Sequence, residues 1–202
     1  MKHAFLCGVL LFAAGRVNAQ TEFNHSGGGS YIVVPYSISV VEDGIDYSGT
    51  VVAGYPGLTY NPRLDFVIDR NLSFSLTTYA TMALNITVNS REGSSGFFAV
   101  QAPLLGQLNF GHHATQRTRS GFGGFVAAGY DFGFYSGGIG VLHGPTVQAG
   151  MKFNFRQESY GIRFEYTKPI GLSKGEKAHV FGIGFLYNFS GGEGKIHYRP
   201  GR

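Results

Sequence analysis

The chain has 202 residues, among them 32 Gly, 18 Phe, 12 Tyr, one Cys and no Trp, and only 14% are charged. A hydrophobic share of 43% is too high for a disordered chain, and the single cysteine excludes a disulfide framework and any cysteine-built zinc site. So much glycine disfavours helices and suits strands that set bulky side chains beside bare backbone.

Residues 1–19, MKHAFLCGVLLFAAGRVNA, read as a secretory signal peptide: Lys2 and His3, an apolar run, then the small-x-small ending Val17-Asn18-Ala19. The run is too short to span a membrane as a helix. Cleavage after Ala19 discards Cys7 and removes Lys2 and Arg16. The formal charge then falls from +4 to +2, 14 basic residues against 12 acidic. No run of Lys and Arg remains, which argues against nucleic acid as a partner.

Period-two alternation follows. Weak examples at 31–41, 97–110 and 122–134 accompany clear ones at 58–68, 72–86, 146–155, 158–167 and 180–189. In the last, Phe181, Ile183, Phe185, Tyr187 and Phe189 share one face, while Gly182, Gly184, Leu186 and Asn188 take the other. Helical spacing would scatter these aromatics; a strand puts all five on one side. Eight strands of about ten to fifteen residues result, about twice the usual soluble length.

A soluble sandwich would show similar periodicity, but three features favour a membrane barrel. The strands are long, and the apolar face is large at nearly every position. The connections also alternate: 69–71 and 156–159 are short, whereas 42–49, 87–96, 135–145 and 168–178 are longer. Segment 111–121 is the exception, long where a short turn is expected. Short turns at one end and longer loops at the other belong to outer-membrane barrels. The barrel must close, because unpaired amides in lipid cost several kcal/mol each. Aromatic girdles are expected from Phe66, Phe74, Phe153, Phe155, Tyr160, Tyr187 and Phe189 at the periplasmic rim, and from Phe98, Phe132, Phe134 and Phe181 at the outer one.

The segments GLTYNPRLDF (57–66), GFGGFVAAGY (121–130), SYGIRFEY (159–166) and the final VFGIGFLYNF resemble the small eight-stranded outer-membrane β-barrels of Gram-negative bacteria, in the porin-like style of the Bacteroidota. The resemblance spans nearly the whole chain. It implies an all-β, antiparallel, up-and-down transmembrane barrel over 20–189, both termini periplasmic, with 190–202 as a flexible tail. It also implies that the barrel-assembly machinery reads the last strand, where Phe189 is the matching residue with Tyr187 and Phe185 before it. Outer-membrane lipids surround such a barrel, and an extracellular or envelope protein is a further expected partner.

By parity, Arg63, Asp65, Asp131, Lys152, Arg163 and Glu165 point inward. The interior of eight strands is just wide enough for side chains, so buried charges there need partners. An interior ion-pair network is expected, with a filled polar lumen. Across the 156–159 turn, Lys152 is expected opposite Arg163 and diagonal to Glu165. A narrow ion path is the alternative role for these charges.

A lipid-modifying enzyme is the other alternative, and would need His143, Ser136 and Asp131 to converge near the outer rim. No G-x-S-x-G frames them. His112 and His113 point different ways on a strand, so a shared metal would need His197 or another ligand. The clusters GFGGFVAAG and SGGIG lack the Lys-Ser/Thr of a phosphate-binding loop. No catalytic residue, cofactor or metal is assigned. The expected role is a structural scaffold whose outer loops bind a surface or partner.

Overall fold

The computed structural model describes residues 21–189 except 43–44, 90–92, 113, 116–117, 119–120, 157 and 173–175, without the side chains of 38–48 and 86–95. The expected signal segment 1–19 and tail 190–202 lie outside the described residues. Ten strands form one antiparallel sheet: β1 (Thr21–Glu42), β2 (Ile45–Asp69), β3 (Leu72–Thr78), β4 (Ala80–Asn89), β5 (Gly93–Gln101), β6 (Leu104–Gly111), β7 (Phe122–Tyr135), β8 (Gly140–Phe155), β9 (Glu158–Thr167) and β10 (Val180–Asn188). Alternation in sequence becomes alternation in space. On β8, Leu142, Thr146, Gln148 and Lys152 are buried, while Val141, Val147 and Met151 are exposed.

Consecutive strands pair, except β3 with β4 and β5 with β6, and β10 closes onto β1. β3 and β4 lie in line as one barrel strand, as do β5 and β6, which makes eight around the circumference. Pro103 accounts for both interruptions. The N–H of Ala102 donates to the Phe132 carbonyl on β7, so the next N–H would point the other way, toward Tyr79. Proline has none to give. The Thr78 hydroxyl instead donates to the Pro103 carbonyl at 2.6 Å.

The registers fix the barrel's shape. Stepping across partners from Thr21 passes Phe66, Phe74, Leu108, Val126, Ala149, Phe164 and Ile183, and returns to β1 at Tyr31, ten residues along. With about 3.3 Å per residue and about 4.8 Å between strands, that stagger over eight strands tilts them by roughly 40°. This lies within the range of membrane barrels.

Three expected loops are largely strand. β1 and β2 pair without a break from Thr21↔Phe66 to Glu42↔Ile45, absorbing most of 42–49. β4 with β5, and β7 with β8, likewise extend into 87–96 and 135–145. Both strands of each hairpin stay in register past the wall, so the ladder simply continues. Of the fourth long connection, the described residues carry the bridges Tyr36↔Ala178 and His143↔Ile170. In the exceptional segment 111–121 the described residues turn back under the lumen. Ala114 and Thr115 are buried, the Ala114 carbonyl accepts from Ser73, and the Thr115 hydroxyl donates to the Arg70 carbonyl at 2.7 Å.

Interior rings lie over opposing glycines. Phe125 on β7 faces Gly150 on β8, and a Cβ on Gly150 would come within 2.3 Å of the ring. A ring laid over a bare backbone position also pins the register. Gly150→Val is therefore expected to destabilise the barrel by about 1–3 kcal/mol through overpacking, measured by urea unfolding in detergent. Stability equal to the parent would contradict this packing.

Candidate functional site

The lumen is built in layers. At the end of the barrel where Thr21 and Phe189 lie, Arg63 pairs with Asp65: Nε lies 2.7 Å from Oδ1, and Nη2 donates to Oδ2 at 2.8 Å. Both are inward residues of β2, two apart, which is why a strand can place them side by side. The remaining capacity of the Asp65 carboxylate is filled by Asn24 from β1 at 2.6 Å and by the Ser75 hydroxyl from β3. Asn109 on β6 joins this centre to the opposite wall. Its amide oxygen accepts from Lys152 Nζ at 2.7 Å and from Arg63 Nη1 at 3.3 Å, while its amide nitrogen donates to Ser75 at 2.5 Å. Asp65 is fully buried and Asn109 as well. The charge-assisted hydrogen bond from Arg63 Nη2 to Asp65 Oδ2 is the strong element here.

A second polar layer occupies the waist. Gln101 shares its amide nitrogen between Asp131, at 2.7 Å, and Glu165, at 2.6 Å, and the Thr167 hydroxyl adds 3.2 Å to Asp131. The Arg163 guanidinium lies over the Tyr79 ring at 3.8 Å from its centroid, a cation–π contact shielded from water. Small residues make the room: Gly184 stands opposite Arg163 and Gly182 opposite Glu165, and a Cβ on Gly182 would come 3.2 Å from the carboxylate.

Above the waist the lumen is apolar. Ile32, Val34, Tyr55, Ala83, Ala99, Tyr135, Leu142 and Val180 form a buried cluster, with Tyr36, Phe97, Ile139 and Leu172 packed against it. The expectation of a polar interior throughout is corrected at this level. On β1 and β2 the inward positions Ile32, Val34 and Tyr55 are as apolar as their outward neighbours, because this layer is packed like a soluble core. Over the plug, a shallow pocket of about 220 Å³ lies among Tyr36, Ile139, Leu142, Leu172 and Lys177. That is smaller than the roughly 300–1,000 Å³ of ordinary small-molecule sites.

All six charges read as inward are buried: Arg63, Asp65, Asp131, Lys152, Arg163 and Glu165. The expected pairing of Lys152 with Arg163 and Glu165 does not form. β8 and β9 are joined by Arg156 and one further residue, so Arg163 lies opposite Gly150 and Glu165 opposite Gln148. The turn is two residues tighter than 156–159, which shifts every partner by two. Residues not singled out in the sequence complete the layers: Asn24, Ser75, Tyr79, Gln101 and Asn109. Their inward parity was the available signal, but an uncharged polar residue does not demand a partner as a charge does.

The three residues an enzyme would need are kept apart. Asp131 is buried in the lumen. His143, one strand away, lies on the outward face with its Nδ1 2.6 Å from the Tyr130 hydroxyl. Ser136, in the β7–β8 turn, accepts from the Phe98 N–H at 2.5 Å. Among the described residues no three His, Cys, Asp or Glu cluster as a metal site would require. His112 is buried beneath the lumen, while His113 and His197 lie outside the described residues. Phe185 and Phe189 stand exposed on the outer face of the closing segment, with the Tyr187 hydroxyl donating to Glu158.

No protein-family model matches the chain, and no curated protein matches it in sequence. Among solved structures, the outer membrane protein OprG from Pseudomonas aeruginosa superposes with a TM-score of 0.51 at 16% identity, covering 85% of this chain and 96% of that one. The fold is that of a small outer-membrane β-barrel. Neisserial surface protein A also matches, with a TM-score of 0.48 at 13% identity over 84% of this chain and 97% of its own. Ail, the attachment invasion locus protein of Yersinia pestis, matches with a TM-score of 0.41 at 15% identity, over 80% and 99% respectively. At these identities the likeness concerns architecture.

In this barrel, Asp65→Ala leaves Arg63 buried without its carboxylate. A loss of about 3–5 kcal/mol is expected, read by urea unfolding in micelles. The pair Arg63→Met with Asp65→Leu should recover most of it. A loss for Asp65→Ala no larger than about 0.5 kcal/mol, as at an ordinary surface site, would show that the lower layer does not hold the barrel.

Proposed function

We propose that the protein is a scaffold of the outer membrane, its termini periplasmic, that binds a partner through the wall standing beyond the lipid at the opposite end. The observation that carries this reading is the length of the β1–β2 ribbon over a filled lumen. β1 has 22 residues and β2 has 25. At about 3.3 Å per residue and roughly 40° of tilt, β1 rises about 55 Å along the axis, against an apolar band about 25 Å tall. β1 pairs with β10 only as far as Val33, and then with the 177–179 loop through Ser37 and Pro35. Beyond that, among the described residues, β1 pairs with β2 alone. Gly49, Thr50, Val51 and Val52 are all exposed, so this stretch of β2 buries neither face.

In this reading the six interior charges with Asn109 and Gln101 hold the barrel shut, and outer-membrane lipids of a Bacteroidota-type envelope surround it. Phe185, Tyr187 and Phe189 are the feature offered to the barrel-assembly machinery. The ribbon partner is an extracellular or envelope protein. A narrow ion path draws on the polar waist, where Asp131 Oδ1, Glu165 Oε2 and Gln148 Nε2 make no hydrogen bond among the described residues. The apolar plug stands across that route.

Two measurements test the proposal. In planar bilayers the protein is expected to give no discrete conductance steps. A photocrosslinking residue at Val52 in living cells is expected to yield a protein adduct of defined mass, and one at Leu58, on the lipid-facing wall, is not. Conductance steps abolished by Asp131→Ala would establish the channel instead. Identical crosslinking at both positions would remove the ribbon's role.

A further inference from the structure

We propose that the outer wall carries a binding site for the phosphate monoester of a lipid headgroup, built by His143, Lys168 and His179. The two histidines are presented in the same way on two neighbouring hairpins. On β7 and β8, Tyr130 lies diagonal to His143, with its hydroxyl 2.6 Å from Nδ1 and Phe132 stacked on the imidazole at 6.3 Å and 23°. On β9 and the approach to β10, Tyr166 lies diagonal to His179, with its hydroxyl 2.9 Å from Nδ1 and the Phe181 ring at 6.3 Å. We take the tyrosine hydroxyl as the donor in both contacts, which puts each ring proton on Nε2 and lets each imidazole offer one N–H.

The ladder brings both beside a lysine. Val180 pairs with Thr167, the last pair of the β9–β10 ladder, and His179 and Lys168 follow immediately beyond it on the two neighbouring strands. The Lys168 N–H donates to the Pro145 carbonyl at 3.0 Å, and His143 bridges Ile170, which puts His143 diagonal to Lys168. Direct neighbours on a sheet face stand about 5 Å apart and diagonals about 7–8 Å. One tetrahedral anion, with acceptor oxygens on every side, spans three donors at that spacing. Lys168 is exposed, and Thr167 and Pro169 on either side of it are buried, so its side chain leaves the wall outward. The acidic neighbours Asp131 and Glu165 are on the opposite side of the wall, inside the lumen.

Height selects a lipid as the source of the anion. Each residue rises about 2.5 Å along the axis and each step between strands about 3 Å, given the tilt and stagger. His143, Lys168 and His179 then fall within about 3 Å of one another, roughly 25 Å above the ring of Phe66, Phe74 and Phe110. That is the height of the apolar band, where headgroups begin. A Lys and two imidazole N–H groups at that level, flanked below by Tyr130 and Tyr166, match a headgroup phosphate over buried acyl chains. The leaflet is the outer one if the orientation proposed above holds; the site itself does not depend on it.

The test uses the full barrel in phosphatidylcholine nanodiscs, which present the same lipid to both ends. Diphosphoryl lipid A is expected to be retained in native mass spectra and to shift the Nε2 proton resonances of ¹⁵N-labelled His143 and His179; dephosphorylated lipid A is not. Lys168→Ala, an exposed change that leaves the wall intact, should weaken retention about tenfold, the loss of one charge-assisted contact. The triple variant His143→Phe, Lys168→Ala, His179→Phe should abolish it while still showing the folded gel mobility. Equal retention of the two lipids, or undiminished retention by Lys168→Ala, would overturn the site. Labelling of Thr50→Cys on whole cells by a membrane-impermeant thiol reagent reports the orientation separately.

Discussion

A chain that crosses lipid as strands must pair every backbone amide within itself, and the rest of this structure follows from that demand. An open edge is not tolerated, so β10 returns to β1 and the sheet becomes a barrel. With eight strands staggered by ten residues, the lumen admits side chains and little else. Where Pro103 withholds an N–H, the Thr78 hydroxyl donates to its carbonyl locally. Closure is thus maintained even where the ladder itself lapses.

Closure sets a second problem, since something must fill the space. The chain solves it twice with opposite chemistry. Toward the termini it places a charge pair whose valences are completed by Asn24, Ser75 and Asn109, each from a different strand. Toward the far end it packs Val34, Tyr55, Tyr135 and Leu142 like the core of a soluble protein. A buried charge pair is weak evidence for net stability, but removing one partner of it is costly. The lower layer therefore commits strands β1, β2, β3 and β6 to one register. The apolar layer supplies burial without needing directional partners. The waist joins them, with Arg163 on the Tyr79 ring and Gln101 shared by two carboxylates.

Much of this was legible in the sequence, and for physical reasons. Phe181, Ile183 and Phe185 alternate with two glycines, and only period two puts those three on one face. Each interior charge sits among outward apolar neighbours, so its direction follows from parity alone. Register was not legible, because it depends on the number of residues in a turn. With Arg156 and one more residue joining β8 to β9, Arg163 moves from Lys152 to Gly150. The apolar layer was hidden for another reason. Around Tyr31, Ile32, Val33 and Val34 both faces of β1 are apolar, one toward lipid and one toward the plug, and alternation disappears. The ribbon was read as loop because 42–49 shows no alternation, yet its backbone pairs up to Glu42↔Ile45. A two-stranded ladder continues as long as both strands stay in register.

The same layering separates what the protein can do from where a barrel is usually expected to do it. Among the described residues, the lower layer, the waist and the apolar layer fill the lumen. Two features face outward. One is the ribbon, where Gly49, Thr50, Val51 and Val52 of β2 are all exposed. The other is the band of His143, Lys168 and His179 on the outer face of the wall, the proposed phosphate site. Both are built on the hairpins whose registers the interior fixes: β1–β2 by Asn24 on Asp65, and β7–β8 and β9–β10 through Lys152 and Glu165. A change deep in the lumen that lets one strand slip by a residue would turn these outward groups inward, because side chains alternate with a period of two. The buried charges therefore act on the surface by holding the register.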